Sequence, residues 1–200
     1  MNIAVLASGN GTNFEAVVRS AEKGKLRNAK IKILISDKEE SFVQKRAKKH
    51  NIKSVFVDPK GFSSRTLFDK EVVRILRKEK IRLVVLAGFM RILSPYFVKA
   101  FKNRILNIHP ALLPSFKGES AIKKAYKYGV KVTGVTVHFV DNDVDHGPII
   151  FQEALKIKEG ESLESLEKRI HRLEHKLYPE AIKLFIQGRL KVRGRKVAII

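Results

Sequence analysis

A chain of 200 residues, 44% hydrophobic and 30% charged, is long enough to build one domain around a substantial core. It has no cysteine, which excludes disulfides, thiolate catalysis and cysteine-ligated zinc. Its 41 Lys and Arg against 20 Asp and Glu give a formal net charge of +21, which favours anionic ligands. No apolar run could span a bilayer and residues 1–7 do not resemble a signal peptide, so we expect a cytoplasmic protein without a membrane partner.

Short apolar runs alternate with amphipathic ones through the first half of the chain. β-branched apolar runs predict buried strands, and apolar spacings of three and four predict helices between them. The alternation predicts an α/β fold, a doubly wound, mostly parallel and Rossmann-like sheet with helices on both faces. The predicted strands are 3–7, 31–35, 54–57, 83–87 and 104–108, and the predicted helices are 13–23, 41–50 and 64–78.

The second half is predicted to hold two longer strands, 132–140 and 148–157, joined by an acidic loop. A helix over 162–187 ends before Gly188, and a hairpin around Gly194 closes the chain. We expect one domain over 1–200, with its functional halves at 1–100 and 101–200. Ligands of such sheets bind at the carboxyl ends of the strands, and these ends are followed by segments 8–13, 88–93, 107–118 and 141–147.

The first of these segments, within ASGNGTN at 7–13, joins a predicted strand to a predicted helix. Gly9 and Gly11 allow a tight turn, and the amides at the helix start could hold a phosphate together with Thr12 and Asn13. Phe14 stands where a dinucleotide-binding loop has its third glycine, and no P-loop lysine follows. The alternative is a glycine turn without a ligand.

The stretch NIHPALLPSFKG, at 107–118, places His109 between a predicted strand and a proline. VDNDVDHG, at 140–147, carries three acids at alternate positions. A calcium loop of the EF-hand type is not expected, because His146 and Gln152 occupy its glycine and glutamate positions. One interpretation of this segment is an exposed acidic turn without a functional role. The sharper hypothesis is that one of these carboxylates faces His109 and orients its ring.

Two further motifs allow two interpretations each. GFMRIL, at 88–93, could line a flat pocket for a ring or could simply pack in the core. HRLEH, at 171–175, matches an inverted zinc-peptidase pattern, but no third ligand is evident, and a polar helix face is the alternative. His50 and His138 are assigned to structure.

Basic runs at 45–50, 74–80 and 191–196 raise the possibility of nucleic-acid binding. No aromatic side chains interleave with them as a stacking platform requires. We therefore do not expect a nucleic-acid partner.

Together, SGNGTN, NIHPALLPSFKG and GVTVHFVDNDVDHGPIIFQ resemble the folate-dependent formyltransferases, in order and at the family's spacing from residue 1 to about Gly188. SGNGTN narrows the resemblance to the glycinamide ribonucleotide transformylase family. The resemblance implies transfer of a formyl group from 10-formyltetrahydrofolate, the co-substrate, to the amine of 5-phosphoribosylglycinamide in purine biosynthesis. It implies no metal, and small molecules as the binding partners of a monomer or homodimer.

The same resemblance implies the site residues. Asn107, His109 and Asp145 match the catalytic residues. The ribonucleotide site matches Gly11, Thr12, Asn13, His171, Arg172, Leu173 and Glu174. The folate site matches Arg65, Met90, Arg91, Ile92, Leu93, Asn107, Asp141, Asn142, Asp143, Val144 and Asp145.

The chemistry suits these residue types. Attack of an amine on a formyl carbon gives a tetrahedral intermediate with a developing oxyanion, which needs hydrogen-bond donors. Asn107 offers an amide N–H, and a protonated His109 offers a charged one and a general acid. We expect Asp145 to keep His109 protonated.

Three rival functions remain. A methionyl-tRNA formyltransferase suits the charge, but we expect too few residues after Gly188 for the C-terminal domain of that enzyme. A formyltetrahydrofolate hydrolase usually has an extra N-terminal regulatory domain, whereas this chain begins at its first strand. A basic nucleic-acid-binding module without catalysis is the third.

Overall fold

A computed structural model describes residues 1–27 and 29–200 of the chain. It divides into two compact units, Met1–Leu106 and Asn107–Ile200. The domain organisation and functional halves expected from the sequence stay predictions. In the described part of the chain, no helix is both long and apolar enough to cross a membrane.

The first unit is a parallel sheet with helices in the connections. Its strands pair in the order β3-β2-β1-β4, all parallel. Residues Ile3 to Leu6 on β1 are fully buried, as expected of the central strand of a parallel sheet. The strands are β1 Asn2–Leu6, β2 Lys30–Ser36, β3 Lys53–Phe56 and β4 Leu83–Leu86, and the helices are α1 Thr12–Glu22, α2 Phe42–Lys49, α3 Arg65–Lys78 and α4 Pro95–Ala100, with a 3-10 turn at Pro59–Gly61.

The fifth strand, β5 Ile105–His109, begins in the first unit and ends in the second. In the second unit β6 and β7 are antiparallel, β7 and β9 parallel, and β8 and β9 antiparallel. The hairpin predicted around Gly194 is formed by β8 and β9. The remaining elements are α5 Ala121–Tyr128, β6 Val132–Phe139, β7 Ile149–Lys156, α6 Leu163–Ile186, β8 Leu190–Arg193 and β9 Lys196–Ile199.

The predicted strands and helices all form, within a few residues of their expected bounds. Helices α4 and α5 were not predicted. α4 has six residues and α5 has eight, too few turns for an apolar periodicity to stand out.

Candidate functional site

The end of β5 carries the first two predicted catalytic residues. Asn107 and His109 are two positions apart on a strand, so their side chains share one face of the sheet. Asn107 is half-buried and His109 is 4% exposed. A buried polar pair needs a partner, and another residue of the same unit supplies it.

Asp145 is that partner. Its Oδ2 accepts a hydrogen bond of 2.8 Å from the Gly118 amide and lies 3.2 Å from His109 Nδ1. Its Oδ1 accepts a hydrogen bond of 3.3 Å from Asn107 Nδ2. The structure therefore brings the three predicted catalytic residues together around one carboxylate.

The carboxylate is held ionised. Burial alone would raise the pKa of Asp145, but the nearby His138 and His109 rings and a hydrogen bond from the Gly118 amide lower this pKa to about 2. Asp145 also has a φ of +47°, a conformation that is uncommon for a residue other than glycine. Strained conformations of this kind cluster at functional sites.

The His109 ring is enclosed by two acceptors. Its Nε2–H donates to the Phe116 carbonyl at 2.9 Å, while Nδ1 faces Asp145. Burial lowers the pKa of His109 below 6.5, and it outweighs the opposing effects of Asp145 and the Phe116 carbonyl. Burial therefore works against the effect that we expected of Asp145, which was to keep His109 protonated.

His138 belongs to the same cluster, although the sequence assigned it to structure. Its Nδ1–H donates to the Phe139 carbonyl at 2.7 Å. Its Nε2 lies 3.2 Å from Asn107 Nδ2 and 3.6 Å from Asp145 Oδ1. The one clue in the sequence was a histidine inside an otherwise apolar strand, just before the acidic loop.

The acidic loop, residues 141–147, has hydrogen bonds within it and a tightly packed glycine at its end. Asp141 accepts hydrogen bonds from the Asp143 amide at 3.1 Å and from the His146 ring at 2.8 Å. At the other end, a Cβ on Gly147 would collide with the Phe139 carbonyl. The predicted folate residues between these ends, Asn142, Asp143 and Val144, are exposed.

Helix α6 carries the predicted ribonucleotide segment. His171 Nδ1 lies 2.8 Å from Glu174 Oε2, and this hydrogen bond raises the pKa of His171. Glu174 is 3% exposed, Leu173 lies in the core and Arg172 is exposed. Among residues 1–27 and 29–200, no three His, Asp or Glu side chains are grouped as a metal site would require. The zinc-peptidase interpretation of HRLEH therefore has no support within the described residues.

The first unit contains the predicted phosphate loop. Gly11 precedes α1 with a φ of +74°, and a Cβ there would collide with Val43 of α2. Thr12 and Asn13 begin the helix and are half-buried. The first amides of a helix lack intrahelical acceptors and attract anions. The loop therefore has the glycine, the helix and the amides that a phosphate site needs.

The predicted folate residues of the first unit follow β4 or begin α3. Met90 and Ile92 are 58% and 53% exposed, whereas Leu93 is buried. Arg91 lies over the Phe68 ring, 4.5 Å from its centroid. Arg65, the first residue of α3, is exposed. Segment 88–93 thus packs some of its side chains in the core and exposes the two apolar side chains of Met90 and Ile92; a pocket for a ring stays a prediction.

Known proteins resemble this chain along almost all of its length. Residues 1–182 match the family model described as formyl transferase. A phosphoribosylglycinamide formyltransferase of Bacillus subtilis is 42% identical over 96% of this chain and 97% of its own length. A trifunctional purine biosynthetic protein of Gallus gallus is 45% identical, but the chain spans only 19% of it. The crystal structure of glycinamide ribonucleotide transformylase 1 from Symbiobacterium toebii superposes with a TM-score of 0.97 at 44% identity, covering 100% of this chain and 94% of that one.

Proposed function

Because the chain belongs to the formyl transferase family, we propose that it transfers the formyl group of 10-formyltetrahydrofolate to the amine of 5-phosphoribosylglycinamide in purine biosynthesis. The reaction and the acceptor are those named by the Bacillus subtilis relative, which aligns over nearly its whole length. The single structural observation in favour of this chemistry is the Asp145 carboxylate, contacted by both Asn107 and His109.

In the proposed mechanism the substrate amine attacks the formyl carbon. Asn107 donates an N–H to the developing oxyanion. A neutral His109, the form that burial favours, accepts the proton that the attacking nitrogen loses and delivers it to N10 of the folate as the C–N10 bond breaks. Asp145 stabilises the imidazolium that forms between these two transfers.

This role requires one ring nitrogen to face the substrate. His109 Nε2 is bonded to the Phe116 carbonyl, and Nδ1 faces Asp145. We propose that substrate displaces the Phe116 carbonyl and that the ring proton then lies on Nδ1, where it is donated to Asp145, so that the unprotonated Nε2 can accept the proton of the substrate amine.

For the two substrates we propose the following residues. The phosphate binds at Gly11, Thr12 and Asn13, and the ribonucleotide also meets His171 to Glu174, with Glu174 near its amine. The folate lies against Arg65, Met90 to Leu93, Asn107 and Asp141 to Asp145. We further propose a cytoplasmic monomer or homodimer that uses no metal.

The test is formyl transfer by purified protein with 5-phosphoribosylglycinamide as acceptor, with and without EDTA, followed by folate absorbance. We expect EDTA-insensitive turnover that falls about 100- to 10,000-fold in His109→Ala and Asp145→Asn, the range typical of general acid–base groups. Glu164→Gln removes one exposed carboxylate that pairs with Lys168, and this control should retain full activity. Folate consumption only in water or with charged tRNA would contradict the proposed acceptor.

A further inference from the structure

Arg46 of α2 contacts the phosphate loop from behind. Its Nε donates to the Asn10 carbonyl at 2.9 Å, and its Nη2 donates to Asn10 Oδ1 at 3.2 Å. Two parallel bonds from one guanidinium fix both the backbone and the side chain of Asn10. No motif in the sequence links residues 10 and 46.

Arg46 is itself held on two further sides. Its Nη1 lies 3.4 Å from Glu15 Oε2, and its guanidinium lies 4.9 Å from the centroid of the Phe42 ring. The Arg46 side chain is 23% exposed. The guanidinium thus donates hydrogen bonds to Asn10, pairs with Glu15 and stacks on the Phe42 ring. These contacts leave it little rotational freedom, so it can act as a fixed support.

Glu15 anchors this arrangement to α1. It is 8% exposed and also accepts a hydrogen bond of 2.8 Å from Arg19, with His50 at 3.2 Å. Burial alone would raise the pKa of Glu15, but hydrogen bonds from Arg19 and His50 lower it. Glu15 therefore stays ionised at neutral pH and can hold Arg46.

The α2 backbone contacts the same loop. The Val43 amide donates to the Gly9 carbonyl at 3.1 Å, and the Val43 side chain fills the space where Gly11 would carry a Cβ. Gly9 and Asn10 are exposed, so without α2 little would fix the direction of the amides that follow them. A hydrogen bond weakens steeply as its donor angle becomes unfavourable, so amides that point away from an anion would bind it less strongly.

We propose that Arg46 is a positioning residue for phosphate recognition. By holding Asn10 it fixes the Gly11–Asn13 amides in the orientation that receives the ribonucleotide phosphate. Arg46 does not touch the reacting atoms. The inference rests on the proposed function and adds to it a residue that selects for a phosphorylated acceptor.

The test compares Arg46→Met with Arg19→Met. Both variants remove one cationic partner of Glu15, but only Arg46→Met removes the bonds to Asn10. We expect Arg46→Met to raise the KM for the ribonucleotide about tenfold, as for the loss of roughly 1.4 kcal/mol of binding. The kcat at saturation and the KM for the folate should stay within about twofold, and Arg19→Met should match the wild type. A purely structural role would instead lower kcat through loss of active protein and leave both KM values unchanged.

Arg46→Lys separates geometry from charge. Lysine keeps the positive charge but lacks the planar fork, so its KM for the ribonucleotide should also rise. A wild-type KM in Arg46→Lys would overturn the proposal, because charge alone would then be sufficient.

Inorganic phosphate provides a readout that needs no turnover. Its dissociation constant, followed by ³¹P NMR, should rise in Arg46→Met and stay unchanged in Arg19→Met. If the wild-type protein transferred no formyl group, the proposed function would fail, but this titration would still test Arg46. Equal phosphate affinity in wild type and Arg46→Met would refute its role.

Discussion

At the scale of single residues, Asp145 has few possible replacements. It accepts from the Gly118 amide and Asn107, and it faces His109 and His138. An asparagine would keep the shape but would direct an N–H₂ group at one of these donors, which leaves buried polar groups unsatisfied. The carboxylate is thus required for its charge and for its acceptor-only chemistry.

The protonation state of His109 is the first prediction at this scale. Burial lowers the pKa of His109 below 6.5 while Asp145 opposes that effect. The ring should therefore be neutral at pH 7 in the free protein, and ¹⁵N NMR titration should give a pKa under 6.5. In Asp145→Asn the opposing charge is gone, so this pKa should fall further. A wild-type pKa above 6.5 would contradict the neutral resting state.

Asp145 should also make stability depend on pH. Its folded-state pKa of about 2 lies below the ordinary 3.8, so its stabilising contribution is complete above pH 4 and is lost as the pH falls towards 2. The shift corresponds to about 2 kcal/mol at neutral pH. Urea unfolding of wild type and Asp145→Asn should show a difference in unfolding free energy that shrinks across this range. A difference that stays constant from pH 5 to pH 2 would show that the carboxylate charge is not its source.

At the scale of elements, the sequence predicted the longer helices and the buried strands. The buried β1 is a continuous apolar run and the 24-residue α6 has a helical periodicity, and the site loops follow strands as expected. The residues alone suggested that one carboxylate of the acidic loop faces His109, but only the resemblance singled out Asp145 and Asn107, since contacts across 38 residues leave no local pattern. His138 was missed because one histidine on a buried strand does not reveal its partner. The lowering of the His109 pKa by burial was missed because burial depends on packing.

The close contact between Gly147, just before β7, and Phe139, at the end of β6, gives an element-scale prediction. Gly147→Ala would place a methyl group against the Phe139 carbonyl, and the loop would have to move. We expect a loss of about 1–3 kcal/mol in the free energy of unfolding and a higher KM for the folate. Gly61→Ala is the matched control, because nothing lies within 4 Å of its added Cβ. Equal unfolding free energies for the two variants would contradict this account.

At the scale of the whole molecule, charge is the dominant feature. The formal net charge is +21, and none of this excess comes from Asn107, His109 or Asp145. Both proposed substrates are anionic. Many basic side chains are paired locally, such as Lys168 with Glu164 and Arg74 with Glu71. The excess of positive charge creates a long-range attraction for anions, independent of any single contact.

This attraction should appear in the kinetics. Raising the ionic strength from about 0.01 M to about 0.5 M shortens the range over which charges act, so kcat/KM should fall while kcat at saturation stays nearly constant. Stopped-flow measurement of ribonucleotide association should show the same salt dependence. An unchanged kcat/KM over this range would mean that the positive charge does not steer the substrates.

The same nitrogen of His109 that bonds to the Phe116 carbonyl in the free protein is the one that transfers the proton in the proposed mechanism. One interaction therefore serves stability and the other serves catalysis, and they exclude each other. A typical bond of this kind contributes about 1 kcal/mol, and in the proposed mechanism each catalytic cycle breaks and re-forms it. Selection for thermostability would strengthen this hydrogen bond and lower kcat, whereas selection for higher kcat would weaken the bond. A laboratory evolution experiment under either pressure should therefore accumulate substitutions around Phe116, with opposite effects on melting temperature and turnover.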